Sequence, residues 1–307
     1  MKVLFMGTPD YSVKTLRALL DNGHEVAAVF AQPDKPVGRK QILTPPPVKV
    51  CAESYGIPVY QPSTLRDGTA LEIIKEINPE VIVVVAYGKI LPEEILNFPK
   101  YGCINGHASL LPKYRGASPI QWCIVCGEKQ TGVTTMLMDK GMDTGDIIDT
   151  ATVDIGEDET AEELFERLSV VSADLMIKTL DNLENGTAKF TKQNEDEATY
   201  APIIKKDMAH LDFTKTATEL KCAVRGYYSW PCAFCFIDGK RVKVISADVV
   251  SGRGEAGTVI DNNGRLVIAC GDNTAIELKT VQPEGSKAMT ASQMLCGNKI
   301  PIGTKVN

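Results

Sequence analysis

Two polar side chains in the first half of the chain have types and spacing suited to stabilising negative charge on an oxygen. Asn105 and His107 are two residues apart within the segment Ile104–Gly116. If that segment ends a strand, side chains at positions i and i+2 lie on the same face of the sheet. A carboxamide N–H and an imidazole directed at one point then form a site for a developing oxyanion.

A glycine-rich loop supplies a third candidate group. Residues 138–147 contain Asp139, Asp143 and Asp146 next to a predicted strand. A carboxylate in this loop can orient the imidazole of His107, stabilise its charged form and relay protons. On pattern alone, ordinary roles remain open: a hydrogen-bonded histidine at a strand end, and an aspartate in an Asx turn.

The elements that must position these residues alternate between strand and helix patterns. Strands are predicted over Lys2–Met6, Glu25–Phe30, Val59–Tyr60 and Val81–Ala86, and helices over Asp10–Asn22, Val48–Tyr55, Thr69–Ile77 and Ala161–Leu183. This alternation predicts an α/β fold with a Rossmann-like, doubly wound, mostly parallel sheet. Such sheets bind ligands at the carboxyl ends of their strands, where Gly7, the segment 86–88 and the segment after Ile104 all lie.

The last hundred residues have a different pattern. After a helical stretch at Thr216–Val224, short alternating runs predict strands over Ala233–Ile237, Val242–Val249, Gly257–Asp261, Leu266–Cys270 and Ala275–Val281. Turn pairs such as Asp238-Gly239 and Asn263-Gly264 separate several of them. The pattern favours a small β-barrel of the oligonucleotide-binding type. We therefore predict an α/β domain at 1–190, a polar linker at 191–207 and a barrel at 208–307.

Charge is distributed unevenly between these regions. Of the 33 Lys and Arg and 39 Asp and Glu in 307 residues, positions 208–307 hold 12 and 9, which is a net +3. The remainder, 21 and 30, gives positions 1–207 a net −9. A basic barrel on an acidic body permits a polyanionic partner, although a chance scatter of solvated charges fits equally well.

The overall composition excludes several classes of protein. With 44% hydrophobic and 23% charged residues, the chain is not collagen-like, coiled-coil or wholly disordered. No apolar run reaches the roughly 18–20 residues that span a bilayer, and the N-terminal apolar stretch predicts a first strand, not a signal peptide. The nine scattered cysteines indicate reduced thiols and a cytoplasmic location.

A proline-rich segment interrupts the α/β pattern. Residues 33–49 carry a net charge of +3 and predict a long loop. Compact domains seldom keep such a loop unless it is functional or disordered, so a binding loop and a tolerated insertion are both open.

Two cysteine pairs have the spacing of metal ligands. Cys123 and Cys126, and Cys232 and Cys235, lie in different predicted domains. One pair falls in a helical stretch, and the other in a strand whose i and i+3 side chains point to opposite faces. Core thiols are favoured over a zinc site.

The central motifs resemble those of a known family. The string Asn-x-His-x-Ser-Leu-Leu-Pro-x-Tyr-Arg-Gly at 105–116, followed by Asp-x-Gly-Met-Asp-Thr-Gly-Asp at 139–146, is similar to the 10-formyltetrahydrofolate-dependent formyltransferases. Further similar segments lie at 3–9, 32–39, 47–49, 85–92, 225–231 and 239–240, so the resemblance covers nearly the whole chain. The loop and the tail resemble the members that act on methionyl-tRNA.

This resemblance implies roles for individual residues. Asn105, His107 and Asp143 match the family's catalytic triad. The folate-binding positions would be Ser109, Leu110, Leu111 and Pro112, with Tyr87, Gly88, Ile90 and Leu91 lining the pterin pocket. The tRNA contacts would come from Arg39, Lys40 and Lys35 in the loop and from Lys240, Arg241 and Lys243 on the barrel.

The resemblance also implies a reaction. A formyl group would pass from 10-formyltetrahydrofolate, as co-substrate, to the α-amino group of methionine on initiator tRNA, without a metal. The product would serve translation initiation. The partners would be initiator methionyl-tRNA and folate, with no membrane, and the chain is expected to be a monomer.

One position departs from the family pattern. Gly106 stands between the asparagine and the histidine, where the family has a bulky apolar residue. Glycine removes packing and frees the backbone, so the strand end could be looser here.

Three other functions compete with this interpretation. A formyltransferase acting on a sugar nucleotide or on glycinamide ribonucleotide would not need the basic loop or the barrel. A non-catalytic nucleic-acid-binding protein would not need the Asn, His and Asp set. A nicotinamide oxidoreductase would need a G-x-G-x-x-G fingerprint after the first strand, and none follows Gly7.

Overall fold

The computed structural model describes residues 1–38, 40–297 and 300–307. The chain divides into two compact units. The first comprises Met1–Gly116, Gln130–Val153 and Phe165–Ala201, and the second comprises Ala117–Lys129, Asp154–Leu164 and Pro202–Asn307.

The helices and strands follow in chain order. The strands are β1 (Lys2–Gly7), β2 (Glu25–Phe30), β3 (Lys35–Val37), β4 (Ile42–Thr44), β5 (Val59–Tyr60), β6 (Val81–Val85), β7 (Cys103–His107), β8 (Arg115–Gly116), β9 (Gln130–Leu137), β10 (Asp146–Asp154), β11 (Tyr200–Ala201), β12 (Phe234–Ile237), β13 (Lys240–Val250), β14 (Val259–Asp261), β15 (Leu266–Ala269), β16 (Ala275–Pro283) and β17 (Met289–Thr290). The helices are α1 (Asp10–Asp21), α2 (Pro47–Ser54), α3 (Thr69–Ile77), α4 (Glu93–Leu96), α5 (Pro119–Val125), α6 (Ala161–Glu184), α7 (Ala217–Gly226) and α8 (Ala291–Gly297).

The first unit contains a seven-stranded sheet in the order β10-β9-β7-β6-β1-β2-β5. The pairs β1–β2, β1–β6, β2–β5 and β6–β7 are parallel, whereas β7 and β9 are antiparallel. The apolar run of β6 is buried along its whole length, as expected for a strand covered on both faces. The predicted Rossmann-like sheet is confirmed.

The segment 33–49 is shaped differently from the predicted loop. Strands β3 and β4 pair antiparallel in a short hairpin, with Val37 opposite Ile42, and α2 begins at Pro47. Proline suits that first helical position because it has no N–H to leave unpaired. The hairpin is exposed along both described strands.

The polar segment 191–201 packs against the first unit. The backbone of Thr191 exchanges two hydrogen bonds with Ile147, and β11 pairs in parallel with β8. Residues from Pro202 onward belong to the second unit. The boundary between the two units therefore falls inside the segment 191–207.

The second unit is built on an antiparallel sheet in the order β12-β13-β16-β15-β14, with β17 also paired to β16. The chain segment 303–307 joins its two edges. Phe236 on β12 exchanges two backbone hydrogen bonds with Asn307, and Val259 on β14 exchanges two with Gly303 and Thr304. Residues 303–307 therefore hydrogen-bond to both edge strands of this antiparallel sheet.

Helix α7 packs in the core of the barrel unit. Its Leu220 and Val224 are buried in the same hydrophobic cluster as Val244, Ile268 and other inward-facing strand residues. Thr216 caps the helix through two reciprocal hydrogen bonds. Its hydroxyl accepts from the backbone N–H of Glu219, and the Glu219 carboxylate accepts from the backbone N–H of Thr216.

Within the described residues, no helix combines the length and apolarity needed to cross a membrane.

Candidate active site

Asn105 and His107 lie at the carboxyl end of β7, which is flanked by β6 and β9. Asn105 pairs with Val84 on one side and Met136 on the other, and His107 pairs with Thr134. Because the two residues are alternate positions of one strand, their side chains leave the same face of the sheet. His107 is buried and Asn105 is partly buried.

The imidazole of His107 has a defined hydrogen-bonding state. Its Nε2 lies 2.9 Å from the backbone carbonyl oxygen of Tyr114. A carbonyl oxygen only accepts, so Nε2 carries the proton of the neutral ring and Nδ1 keeps a lone pair. Nδ1 lies 3.7 Å from Oδ2 of Asp143. Nδ1 is therefore the ring atom that can take up a proton.

Asp143 reaches His107 because its loop folds back over the sheet. Its backbone lies in the left-handed region, with φ of 55°, which aspartate tolerates better than most residues. The carboxylate Oδ2 accepts a hydrogen bond of 2.8 Å from the N–H of Gly116. The turn also passes close to β9, since a Cβ at Gly145 would overlap the carbonyl oxygen of Leu137. The structure thus brings together His107 and Asp143 from segments 36 residues apart in sequence.

Gly106 faces the opposite side of β7 from the two polar side chains. A Cβ at this position would lie 3.0 Å from Oγ of Ser172 and 3.4 Å from Cε of Met176, both on α6. The helix therefore packs tightly where the family's apolar side chain would project. Helix α6 occupies the space that an apolar side chain at position 106 would fill, so Gly106 is buried.

The predicted folate segment forms a compact turn beside the end of β7. Ser109 is fully buried, and its hydroxyl donates to the Lys113 carbonyl at 2.6 Å. Thr134 Oγ1 donates to the Ser109 carbonyl and accepts from the N–H of Leu111. Leu111 is buried, whereas Leu110 and Pro112 are partly exposed. The polar atoms of Ser109 shape this turn, and Leu110 and Pro112 keep part of their surface exposed.

The residues after β6 divide between core and surface. The ring of Tyr87 is buried in the core of the first unit and its hydroxyl has no hydrogen-bond partner in the described part of the chain. Burial raises the pKa of Tyr87 to about 12. Leu91 is also buried, while Gly88 and Ile90 are exposed. Of the four positions predicted to line the pterin pocket, Gly88 and Ile90 present surface, whereas Tyr87 and Leu91 do not.

Two residues of the segments 3–9 and 32–39, for which no individual role was predicted, join the ends of β1, β2 and β6. Thr8 Oγ1 donates to the Tyr87 carbonyl at 3.1 Å, and Gln32 Nε2 donates to the same oxygen at 3.0 Å. The backbone N–H of Gln32 donates to Thr8 Oγ1. These bonds hold the strand ends that surround the predicted pterin position.

The basic residues predicted for tRNA contact lie in two places. Lys35 and Lys40 are exposed on the β3–β4 hairpin, and Arg39 lies outside the described residues. On the barrel, Lys240 is exposed and Lys243 partly buried. The Arg241 guanidinium stacks on the Phe234 ring, 3.8 Å from its centroid, which ties its side chain to the barrel surface.

The cysteines are free thiols, and seven of the nine are buried. Burial raises the pKa of the thiols of Cys103, Cys235 and Cys270 to about 12, so these are inert core groups. Cys126 and Cys296 are exposed. Across residues 1–38, 40–297 and 300–307, no group of three or more His, Cys, Asp or Glu side chains is arranged to hold a metal ion.

Models of formyl transferase domains match both parts of the chain. The formyl transferase model matches residues 1–180, and the model of the formyl transferase C-terminal domain matches residues 203–299. The site residues lie inside the first match, and strands β12–β17 lie inside the second. The fold and the site therefore define an enzyme of the formyl-transferring class.

Full-length relatives show which family within this class of enzymes the chain belongs to. A methionyl-tRNA formyltransferase of Caldanaerobacter subterraneus subsp. tengcongensis is 47% identical over 307 residues, covering 99% of both chains. One from Lachnospira eligens is 48% identical over 311 residues, covering 99% of this chain and 98% of the relative. The chain belongs to the methionyl-tRNA formyltransferase family.

Solved structures share the fold at lower identity. An N-formyltransferase from Helicobacter canadensis, in complex with folinic acid and dTDP-3-aminofucose, superposes with a TM-score of 0.71 at 22% identity, covering 92% of this chain and 99% of the other. A methionyl-tRNA formyltransferase from Clostridium thermocellum gives a TM-score of 0.58 at 24% identity, covering 83% and 96%.

Proposed function

We propose that the chain transfers the formyl group of 10-formyltetrahydrofolate to the α-amino group of methionine on initiator tRNA. The observation that carries the proposal is the meeting of His107 and Asp143 beside Asn105 at the end of β7. Full-length identity near 47% to methionyl-tRNA formyltransferases supports the substrate. The chain acts in translation initiation, as a cytoplasmic monomer with reduced thiols.

Asn105 supplies the oxyanion donor in this mechanism. When the methionyl amine attacks the formyl carbon, a C–N bond forms and the carbonyl oxygen becomes negatively charged. The Asn105 carboxamide makes no hydrogen bond to another described residue, so its N–H groups are available for that oxygen. A preorganised donor costs no rearrangement at the moment of reaction.

His107 and Asp143 carry the proton. Attack leaves the amine nitrogen positively charged, and Nδ1 of His107 accepts its proton because Nε2 is already bonded to the Tyr114 carbonyl. The Asp143 carboxylate, 3.7 Å away, stabilises the resulting imidazolium. The same proton passes to N10 of the folate as the C–N10 bond breaks. We therefore place His107 in proton transfer and assign the oxyanion contact to Asn105.

The folate position is supported by exposed apolar groups near the site. Leu110 and Pro112 follow β7, and Gly88 and Ile90 follow the adjacent strand β6, so these four lie at neighbouring strand ends. A flat pterin ring requires apolar contact and backbone hydrogen bonds, which such strand ends provide. Tyr87 and Leu91 support the surface from the core.

The tRNA contacts belong to the hairpin and the barrel. Val37, Ile42 and Leu43 are 55%, 61% and 64% exposed on the hairpin that also carries the basic residues Lys35 and Lys40. Exposed apolar side chains mark an interaction site, and lysines on the same hairpin suit a polyanionic partner. We propose that residues 1–190 carry the transfer reaction and that 208–307 help to hold tRNA through Lys240, Arg241 and Lys243.

The reaction is tested by supplying 10-formyltetrahydrofolate with aminoacylated or uncharged initiator tRNA. Folate absorbance should change only with methionyl-tRNA, because uncharged tRNA lacks the attacking amine. A dTDP-amino sugar serves as the control acceptor for the competing small-amine function. Turnover with the sugar and none with methionyl-tRNA would contradict the proposal.

Binding of tRNA should weaken steeply with salt. Each phosphate contact contributes about −0.9 to the slope of log K against log salt for a duplex. Replacing Lys40 by alanine should make that slope shallower by about 1, measured by fluorescence titration from low to high salt. Lys75→Ala is the matched control, because Lys75 is an exposed lysine of the same unit that pairs with Glu72. An affinity of the unsubstituted protein for tRNA that does not change with salt would contradict binding through phosphate contacts.

A further inference from the structure

The side-chain amide of Gln193 connects the Asp143 turn to the buried guanidinium of Arg115. Its Nε2 donates to the carbonyl oxygens of Asp143 and Gly145, each at 2.8 Å. Its Oε1 accepts from Nε and Nη2 of Arg115, at 3.1 and 2.8 Å. Carbonyls only accept and a guanidinium only donates, so the amide fits in this orientation alone.

Arg115 fixes the position of Gln193. Its side chain is fully buried, and its Nη1 and Nη2 donate to the two carboxylate oxygens of Glu195, each at 2.8 Å. A two-point contact between planar groups defines orientation as well as distance. A buried guanidinium also requires acceptors, so the contacts to Glu195 and Gln193 are maintained together.

The Asp143 turn is consequently held at two points. Gln193 holds its main chain, and the Gly116 N–H holds the carboxylate. The position of Gly116 is set in turn by the pairing of β8 with β11. Although aspartate tolerates a φ of 55° better than most residues, that conformation is uncommon, and these contacts stabilise it.

The same segment also holds the partner of the imidazole. Thr199 Oγ1 accepts from the N–H of Tyr114 at 2.9 Å, and the Thr199 carbonyl accepts from the N–H of Arg115 at 2.8 Å. Tyr114 supplies the carbonyl that binds His107 Nε2. Residues 193–201 therefore fix the surroundings of both His107 and Asp143.

We propose that Gln193 is a positioning residue for formyl transfer, which sets the Asp143 carboxylate against the His107 imidazole by holding the main chain of the 143–145 turn. The inference rests on the proposed function, because it takes His107 and Asp143 as the proton-carrying pair. Displacement of a reacting group by about 1 Å can cost on the order of 10² in rate. Loss of this support lowers kcat and leaves substrate binding intact.

Three variants separate positioning from general stability. Gln193→Glu keeps the size of the side chain and its acceptors for Arg115, but an ionised carboxylate has no N–H for the two carbonyls. Gln193→Ala removes both functions. Asp196→Ala is the matched control, because Asp196 is exposed on the same segment and its carboxylate makes no hydrogen bond or ion pair with another described residue.

The first readout is independent of turnover. The Gly116 N–H donates to the Asp143 carboxylate, so its amide hydrogen exchange reports whether that carboxylate is in place. Exchange at Gly116 should accelerate by about tenfold in Gln193→Glu and Gln193→Ala, and remain unchanged in Asp196→Ala. Unchanged protection in Gln193→Glu overturns the inference, whatever the activity.

The second readout is steady-state kinetics with methionyl-tRNA. In Gln193→Glu, kcat should fall by about 10–100-fold while KM for both substrates stays within about twofold. Lost protection with kcat unchanged overturns the inference. If protection is lost but the unsubstituted protein itself shows no formyl transfer, the positioning of Asp143 stands while its catalytic use and the proposed function fail.

Discussion

Replacing His107 by alanine is expected to lower kcat/KM for formyl transfer to methionyl-tRNA by about 10²–10⁴-fold, the usual contribution of a general acid–base group. The physical reason is the state of the imidazole. With Nε2 bonded to the Tyr114 carbonyl, Nδ1 is the proton acceptor beside the Asp143 carboxylate.

His107→Gln distinguishes proton transfer from packing. Glutamine can still donate to the Tyr114 carbonyl but cannot accept a proton at neutral pH. Its kcat/KM should be as low as that of His107→Ala, while its thermal unfolding midpoint stays nearer to that of the unsubstituted protein. If either variant keeps kcat/KM within about threefold, His107 does not carry the proton.

Replacing Asn105 by alanine is expected to lower kcat by about 10²–10³-fold with little change in KM. The oxyanion exists only during the reaction, so a donor to it stabilises the transition state and not the bound substrates. The carboxamide forms no hydrogen bond with another described residue, so its removal leaves no buried partner unpaired. The free energy of unfolding should therefore change little, as judged by urea denaturation.

Asn97→Ala provides the comparison for Asn105. Asn97 carries an exposed carboxamide at the end of α4, in the same unit. Its replacement should leave both kcat and KM unchanged. A rise in KM of Asn105→Ala with constant kcat would mean that Asn105 binds ground-state substrate and is not an oxyanion donor.

Local sequence patterns predicted those parts of the site that are set by residues close together in the sequence. The i, i+2 spacing of Asn105 and His107 at a strand end is a property of the strand itself, and the β-branched run at 81–86 identified the buried strand beside it. The antiparallel strands of the second unit followed from short alternating runs separated by turn pairs. Strand periodicity needs no information about distant contacts.

Long-range contacts could not be predicted in this way. The polar composition of 191–207 indicates a linker, yet Gln193 and Thr199 pair with segments about 50–85 residues earlier. Arg115 is charged but fully buried, because acceptors distant in sequence satisfy it. Tyr87 follows a strand end, but its ring turns into the core. Each of these outcomes depends on a partner that the fold brings close from a distant part of the sequence. The spacing of residues within a motif does not encode that partner.

The joining of β12 and β14 by residues 303–307 has a consequence for how the barrel unit forms. Phe236 and Asn307 are roughly seventy residues apart, so this contact closes a long loop of chain. Contacts of high sequence separation slow folding, because chain entropy is lost before they form. Until the segment 303–307 docks, both outer strands expose unpaired N–H and C=O groups that can recruit another chain. Pairing with residues 303–307 therefore covers the backbone groups of both edge strands and protects the unit from self-association.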